Sequence, residues 1–133
     1  MCKDNVEVVR AMYEAFNRGD TDAILELADP AVSVEDHGVI DGTSYEGREG
    51  VIRFLAFTAD AFQASSVELE ELLATDDEIV AVVVLRGEGP LSRVPLEGRF
   101  THVWQIAGGL VRRLRVYATK QEALQAASCW SAR

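Results

Sequence analysis

The sequence predicts an α+β fold in which helices come first and an antiparallel meander follows. Three observations carry this. Apolar residues recur at three- and four-residue intervals through the first sixty positions; the pattern then changes to strand-like runs from Ser66 onward; and Gly108-Gly109 separates two such runs, His102 to Ile106 and Leu110 to Tyr117. The first periodicity is that of an amphipathic helix and the second that of a pleated strand, while a glycine pair supplies the positive φ angles of a tight hairpin turn.

Helix one is read from Val6, Val9, Met12, Tyr13 and Phe16, with Gly19 as its stop. Asp20 can cap a second short helix through Ile24, Leu25 and Leu27, and Pro30 is expected to end it before a strand, Val32 to Asp36. A loop with Gly38, Gly42 and Gly47 follows. Val51, Phe54, Leu55, Thr58, Ala61 and Phe62 then give a third helix. Four strands are expected over Val67–Ala74, Glu78–Gly87, Pro95–Ile106 and Leu110–Ala118, broken by Asp76-Asp77, by Gly87 to Pro90 and by the glycine pair. A short helix, Lys120 to Ala127, closes the chain. No repeat, low-complexity tract or linker interrupts it, so residues 1–133 are expected to form a single domain.

Composition narrows the function classes. A chain of 133 residues, 48% hydrophobic, is long enough to bury a core and one internal cavity. Its formal charge of -9, from 22 acidic against 13 basic residues, repels phosphate backbones and anionic lipid. No apolar run approaches the ~20 residues of a membrane-spanning helix, and the first residues lack the apolar stretch of a signal peptide. The expectation is a cytoplasmic protein with neither nucleic-acid nor membrane partners. Cys2 and Cys129, one near each end and without histidine at ligand spacing, are read as free thiols, and no metal site is expected.

The run Ile79 to Leu85 is apolar on both alternating faces, so both faces of that strand should be covered. The three helices can cover one. For the other, the reading is a partner subunit in a homodimer across the outer sheet face; the alternative is shielding by long neighbouring side chains.

The element order, and the segments Asn5 to Asp20, Val34-Glu-Asp36, Tyr45 to Val51, His102-Val-Trp104, Arg113 to Tyr117 and Glu122-Ala-Leu124, resemble the NTF2-like superfamily and within it the SnoaL-like and ketosteroid-isomerase-like group. That resemblance implies a cone, with a curved antiparallel sheet wrapped around the three N-terminal helices and an internal apolar pocket. It implies pocket positions at Met12, Tyr13, Phe16, Val34, Phe54, Thr101, Val103, Leu114 and Val116. It also implies a cofactor-free isomerase, polyketide-cyclase-like or lyase activity on a hydrophobic small molecule. The residues add a candidate base. Asp36 ends a strand whose inward set is Val32, Val34 and Asp36, and it matches the position of the family's isomerase base. A desolvated carboxylate there becomes a better proton acceptor for a carbon acid beside a carbonyl, the pattern for which ketosteroid isomerase is a standard example. The competing role for Asp36 is to close the following loop by accepting backbone N–H bonds around Gly38.

The partner groups such a reaction needs do not match. Met12 and Thr101 stand where the steroid isomerase has its tyrosine and protonated aspartate, and Val116 stands where the SnoaL-type cyclases have an aspartate. A noncatalytic ligand-binding or dimerisation module is therefore the alternative function. Alternation puts His102 with Trp104 on one strand face, and Arg113 with Arg115 and Tyr117 on another; these can bind an anionic or aromatic ligand. If Leu114 and Val116 point inward, the arginine and tyrosine set faces outward and pairs with Glu68 or Glu70. His37, beside Asp36, is a solvated loop residue or a proton partner.

Overall fold

The computed structural model describes residues 2–37, 39, 42–61, 63–74, 78–88 and 95–131. Gly38, Phe62, Asp76-Asp77 and Gly89-Pro90, all invoked above, lie outside them, as do the side chains of Cys2 and Cys129. In chain order the elements are α1 (Cys2–Arg18), α2 (Thr21–Glu26), β1 (Ala28–Asp36), β2 (Ser44–Glu46), α3 (Gly47–Ala61), β3 (Gln63–Ala74), β4 (Glu78–Glu88), β5 (Pro95–Ala107), β6 (Leu110–Tyr117) and α4 (Lys120–Ser131). No helix among the described residues is long and apolar enough to cross a membrane.

The local signals act as read. Gly19 adopts a positive φ and returns its N–H to the Phe16 carbonyl, which ends α1. Asp20 then accepts the Ala23 N–H at 3.1 Å and caps α2. Pro30 behaves differently from expectation. α2 ends four residues earlier, and Pro30 sits inside β1 where the pairing with β6 shifts register between Ala28 and Ser33. A proline has no N–H for a ladder bond, and the irregularity removes the need for one.

The six strands form one curved open sheet in the order β2-β1-β6-β5-β4-β3. The expectation of an antiparallel sheet needs one correction. β3 to β6 are an antiparallel meander, but β1 joins β6 in parallel, pairing Val34 with Leu114 and Asp36 with Val116. Parallel pairing needs a long connection, and α3 with the meander supplies it. β2, a three-residue strand antiparallel to β1, was not foreseen.

The helices α1, α2 and α3 pack on the concave face, where the main core runs from Val9, Met12 and Tyr13 through Val32 and Val34 to Ile79, Ala81, Val83, Trp104 and Leu114. β4 is buried on both faces from Ile79 to Leu85, as its composition implies. Its outer face is covered by the chain itself. α4 lies across it, and Val80, Val103, Tyr117 and Ala123 form a second buried cluster with Leu124 against it. Beyond α4, long charged side chains take over: Arg86 pairs with Glu68 and Glu97, Arg99 with Glu70, and Lys120 with Glu71. The cover that the sequence reading assigned to a partner subunit is thus present within one chain.

Candidate functional site

Between the concave face and the helices lies an apolar cavity of about 120 Å³. α1 contributes Met12, Tyr13 and Phe16, β1 contributes Val32 and Val34, α3 contributes Val51, Phe54, Leu55 and Thr58, and the meander contributes Val83, Phe100, His102, Trp104, Leu114 and Val116. Seven of the residues singled out from the sequence therefore meet here: Met12, Tyr13, Phe16, Val34, Phe54, Leu114 and Val116.

Thr101 and Val103 do not, and this corrects the reading of β5. Thr101 pairs with Tyr117, and Val103 with Arg115, so both lie on the outer face, Val103 in the cluster under α4. His102 and Trp104 pair with Val116 and Leu114 and share their inward face. The physical reason is that β5 carries bulky residues on both faces, because both faces are covered, so alternation alone does not fix its phase.

With that phase, three side chains that are far apart in sequence come together. Trp104 Nε1 donates to the Tyr13 hydroxyl at 2.9 Å, and that hydroxyl lies 2.7 Å from Nδ1 of His102. The indole N–H can only donate, so the phenol oxygen accepts from it; among the described residues Nδ1 of His102 is the acceptor within reach of the phenol proton, and giving the proton to Nδ1 is the assignment that leaves no buried O–H unpaired. Nδ1 is then the acceptor of a neutral imidazole, and the ring proton resides on Nε2. Burial pushes the His102 pKa down to about 4, which keeps the ring uncharged at neutral pH. Burial also pushes the Tyr13 phenol up, outweighing the opposing effect of the Trp104 N–H, so the phenol stays protonated. The rings are set against one another, Tyr13 edge-on to Trp104 with centroids 5.5 Å apart and stacked on His102 at 5.8 Å.

Among the described residues, Arg115 Nε is the one fully buried side-chain polar atom that lacks a hydrogen-bond partner. His102 lines the cavity, and none of the hydrogen bonds among the described residues uses its Nε2. Thr58, the remaining polar residue of the lining, spends its hydroxyl proton on the Phe54 carbonyl at 3.0 Å.

Asp36 is on the inward face of β1 and is buried, but its carboxylate is engaged in the loop that follows. One oxygen accepts the Val39 N–H at 3.1 Å and the other the Gly42 N–H at 2.7 Å, while its own N–H donates to the Thr43 carbonyl. The outward set is engaged as well. Arg113 forms a two-pronged pair with Glu35, Arg115 pairs with Glu78, and His37 stacks on Tyr117 at 4.5 Å and reaches Glu35. Arg113 holds the Glu35 carboxyl below the usual carboxylate range. The partners of the two arginines are thus Glu35 and Glu78, where Glu68 or Glu70 was expected. Among the described residues no group of histidine, cysteine, aspartate or glutamate side chains is arranged to hold a metal ion.

A family model for the SnoaL-like domain matches residues 9–114, and the chain belongs to that family. Solved structures share the fold. A SnoaL-like polyketide cyclase, so described from Jannaschia sp. CCS1, is 23% identical with a TM-score of 0.77, over 94% of this chain and 91% of its own. A Mycobacterium tuberculosis protein in complex with estradiol-17beta-hemisuccinate is 23% identical with a TM-score of 0.75, over 89% of this chain and 95% of its own. An NTF2-like protein of unknown function from Burkholderia pseudomallei is 21% identical with a TM-score of 0.77, over 92% and 95%. None of the curated proteins matches this chain in sequence.

Proposed function

We propose that this chain is a small-molecule pocket protein that takes a hydrophobic compound into the cavity beneath its sheet. The observation that carries the reading is the cavity itself, walled by aliphatic and aromatic side chains with a single hydrogen-bonded cluster, Tyr13, His102 and Trp104, set among them. Ligand-bound proteins of the same fold lend support, one holding a steroid ester and another, TerC, co-crystallised with polyporic acid.

Two forms of this function differ in the work given to Asp36. In a cofactor-free isomerase, polyketide-cyclase-like enzyme or lyase, Asp36 is the general base acting on a hydrophobic carbonyl compound, and its position at the inward end of β1 supports that role. In a noncatalytic binding module it fastens the loop, and its bonds to the Val39 and Gly42 N–H groups support that one. The geometry favours the second form, because both carboxylate oxygens are already committed to the backbone of the following loop. A homodimer across the outer face, which the self-covered β4 does not require, would have to form on the exposed ion pairs of Arg86 and Arg99.

A thermal-shift screen tests it. Ligand at 100 times its dissociation constant adds about 2.7 kcal/mol, a rise of several degrees for a chain of this length. A saturable shift with carbonyl compounds or phenols is the expected result; no shift with any hydrophobic probe contradicts the pocket reading. Asp36→Asn then separates the two forms. Affinity that persists, with no turnover by the parent protein, is expected, and turnover that the variant abolishes would give Asp36 the catalytic role.

A further inference from the structure

The cavity is small and its chemistry is one-sided. At about 120 Å³ it is close in volume to an apolar cavity of about 150 Å³ that holds one benzene ring. A four-ring skeleton would have to push the walls apart. Among the described lining side chains the hydrogen-bond donors are largely spent internally: the Trp104 N–H on Tyr13, the Tyr13 O–H on His102, and the Thr58 O–H on the Phe54 carbonyl. The Nε2–H of His102 is the donor left over. Resting on the small-molecule reading above, we propose that the cavity selects a monocyclic ligand whose polar group is an acceptor oxygen, a ketone or aldehyde carbonyl, held by the Nε2–H of His102.

The relay makes this donor specific. Trp104 Nε1 cannot accept, which fixes the first bond, and a Tyr13 proton turned anywhere but to Nδ1 would be buried without a partner, so pairing it selects the tautomer with the proton on Nε2. Each bond polarises the next, so the final N–H is a better donor than that of an isolated imidazole. A neutral ring in an apolar cavity stabilises an oxygen that gains negative charge, and it rejects an ammonium group, which would meet an N–H dipole of the wrong sign without water to solvate it. His102 touches the ligand, whereas Tyr13 and Trp104 act through it as positioning residues.

Calorimetric titration of the whole chain with three molecules of one shape tests the proposal: acetophenone, α-methylstyrene, which replaces the carbonyl oxygen by a methylene group, and 1-phenylethylamine. Acetophenone should bind roughly 3- to 10-fold more tightly than α-methylstyrene, the factor one hydrogen bond sets, and the ammonium should bind more weakly than both. In His102→Phe the preference for the ketone should vanish while α-methylstyrene still binds. Equal affinities in the parent protein, or a ketone preference that survives His102→Phe, overturn the role of His102 and leave the pocket reading standing. A four-ring steroid ketone that binds as tightly as acetophenone overturns the size limit. Failure of every probe to bind sinks the pocket reading and this inference with it. Nitrogen-15 NMR of the histidines in the parent protein needs no variant to fold. At neutral pH His102 should show an unprotonated Nδ1 and a protonated Nε2, and Tyr13→Phe should let the tautomers mix. The opposite tautomer, or a charged ring, overturns the proposal.

Discussion

Asp36, which is buried, and His102, which is half-buried, are titratable residues on the concave side that do different work. The Asp36 carboxylate ties residues 39 and 42 back to the end of β1, so Asp36→Ala should lower stability by about 1–3 kcal/mol, the range for leaving buried N–H groups unpaired, as read by urea unfolding. His102 gives the fold a dependence on pH. In the unfolded chain its imidazole titrates near 6.5, and in the fold near 4. Between those values the unfolded chain binds a proton that the native chain does not, so acid favours unfolding there. Its contribution is complete above about pH 6.5, falls as the pH drops toward 4, and is level below. The loss should be on the order of 1–3 kcal/mol between pH 7.5 and 4.5, and His102→Phe should remove that part of the slope. The roles of these two residues were unequally legible in the sequence. Asp36 offers local glycines and a strand end, from which both its inward position and its loop-fastening alternative can be read. The partner of His102 is Tyr13, 89 residues away, and no local pattern connects them.

At the level of elements, glycine chemistry shows where the backbone is tightly specified. Gly108 and Gly109 both have positive φ, which fixes the β5–β6 hairpin, and an irregularity between Gln105 and Ile106 then shifts the register by one so that His102 pairs with Val116. Gly50 is constrained by contact instead. A Cβ there would lie 2.7 Å from the carbonyl carbon of Tyr45, so Gly50→Ala should force the start of α3 away from β2 and cost about 1–3 kcal/mol by thermal unfolding. Gly98→Ala meets the ring of Phe100, which can rotate away, and should cost less. Elements with a strong period, such as α1 and β4, were readable from the chain, as was the cap at Asp20. The parallel seam between β1 and β6 was not, because strand pairing depends on contacts between residues about eighty positions apart, and neither was the phase of β5, buried on both sides.

On the scale of the molecule, the outer sheet face joins α4 to a lattice of ion pairs. Arg115 and Glu78 are both nearly buried there, and Arg115 Nε lacks a partner. Removing one member strands the other charge: Glu78→Leu should cost about 3–5 kcal/mol, whereas Glu78→Leu with Arg115→Met should recover most of it. A homodimer across this face would pack against the exposed pairs of Arg86 and Arg99, so light scattering at micromolar concentration should show a dimer that dissociates as salt is raised; a monomer at low salt removes the dimer. The concave face leads to the central claim, that the cavity holds an oxygen-bearing hydrophobic molecule against His102. The most direct measurement is the NMR signal of the His102 Nε2–H during titration with acetophenone. A saturable displacement of that signal is the predicted result, and a signal that stays in place while acetophenone demonstrably binds would contradict it.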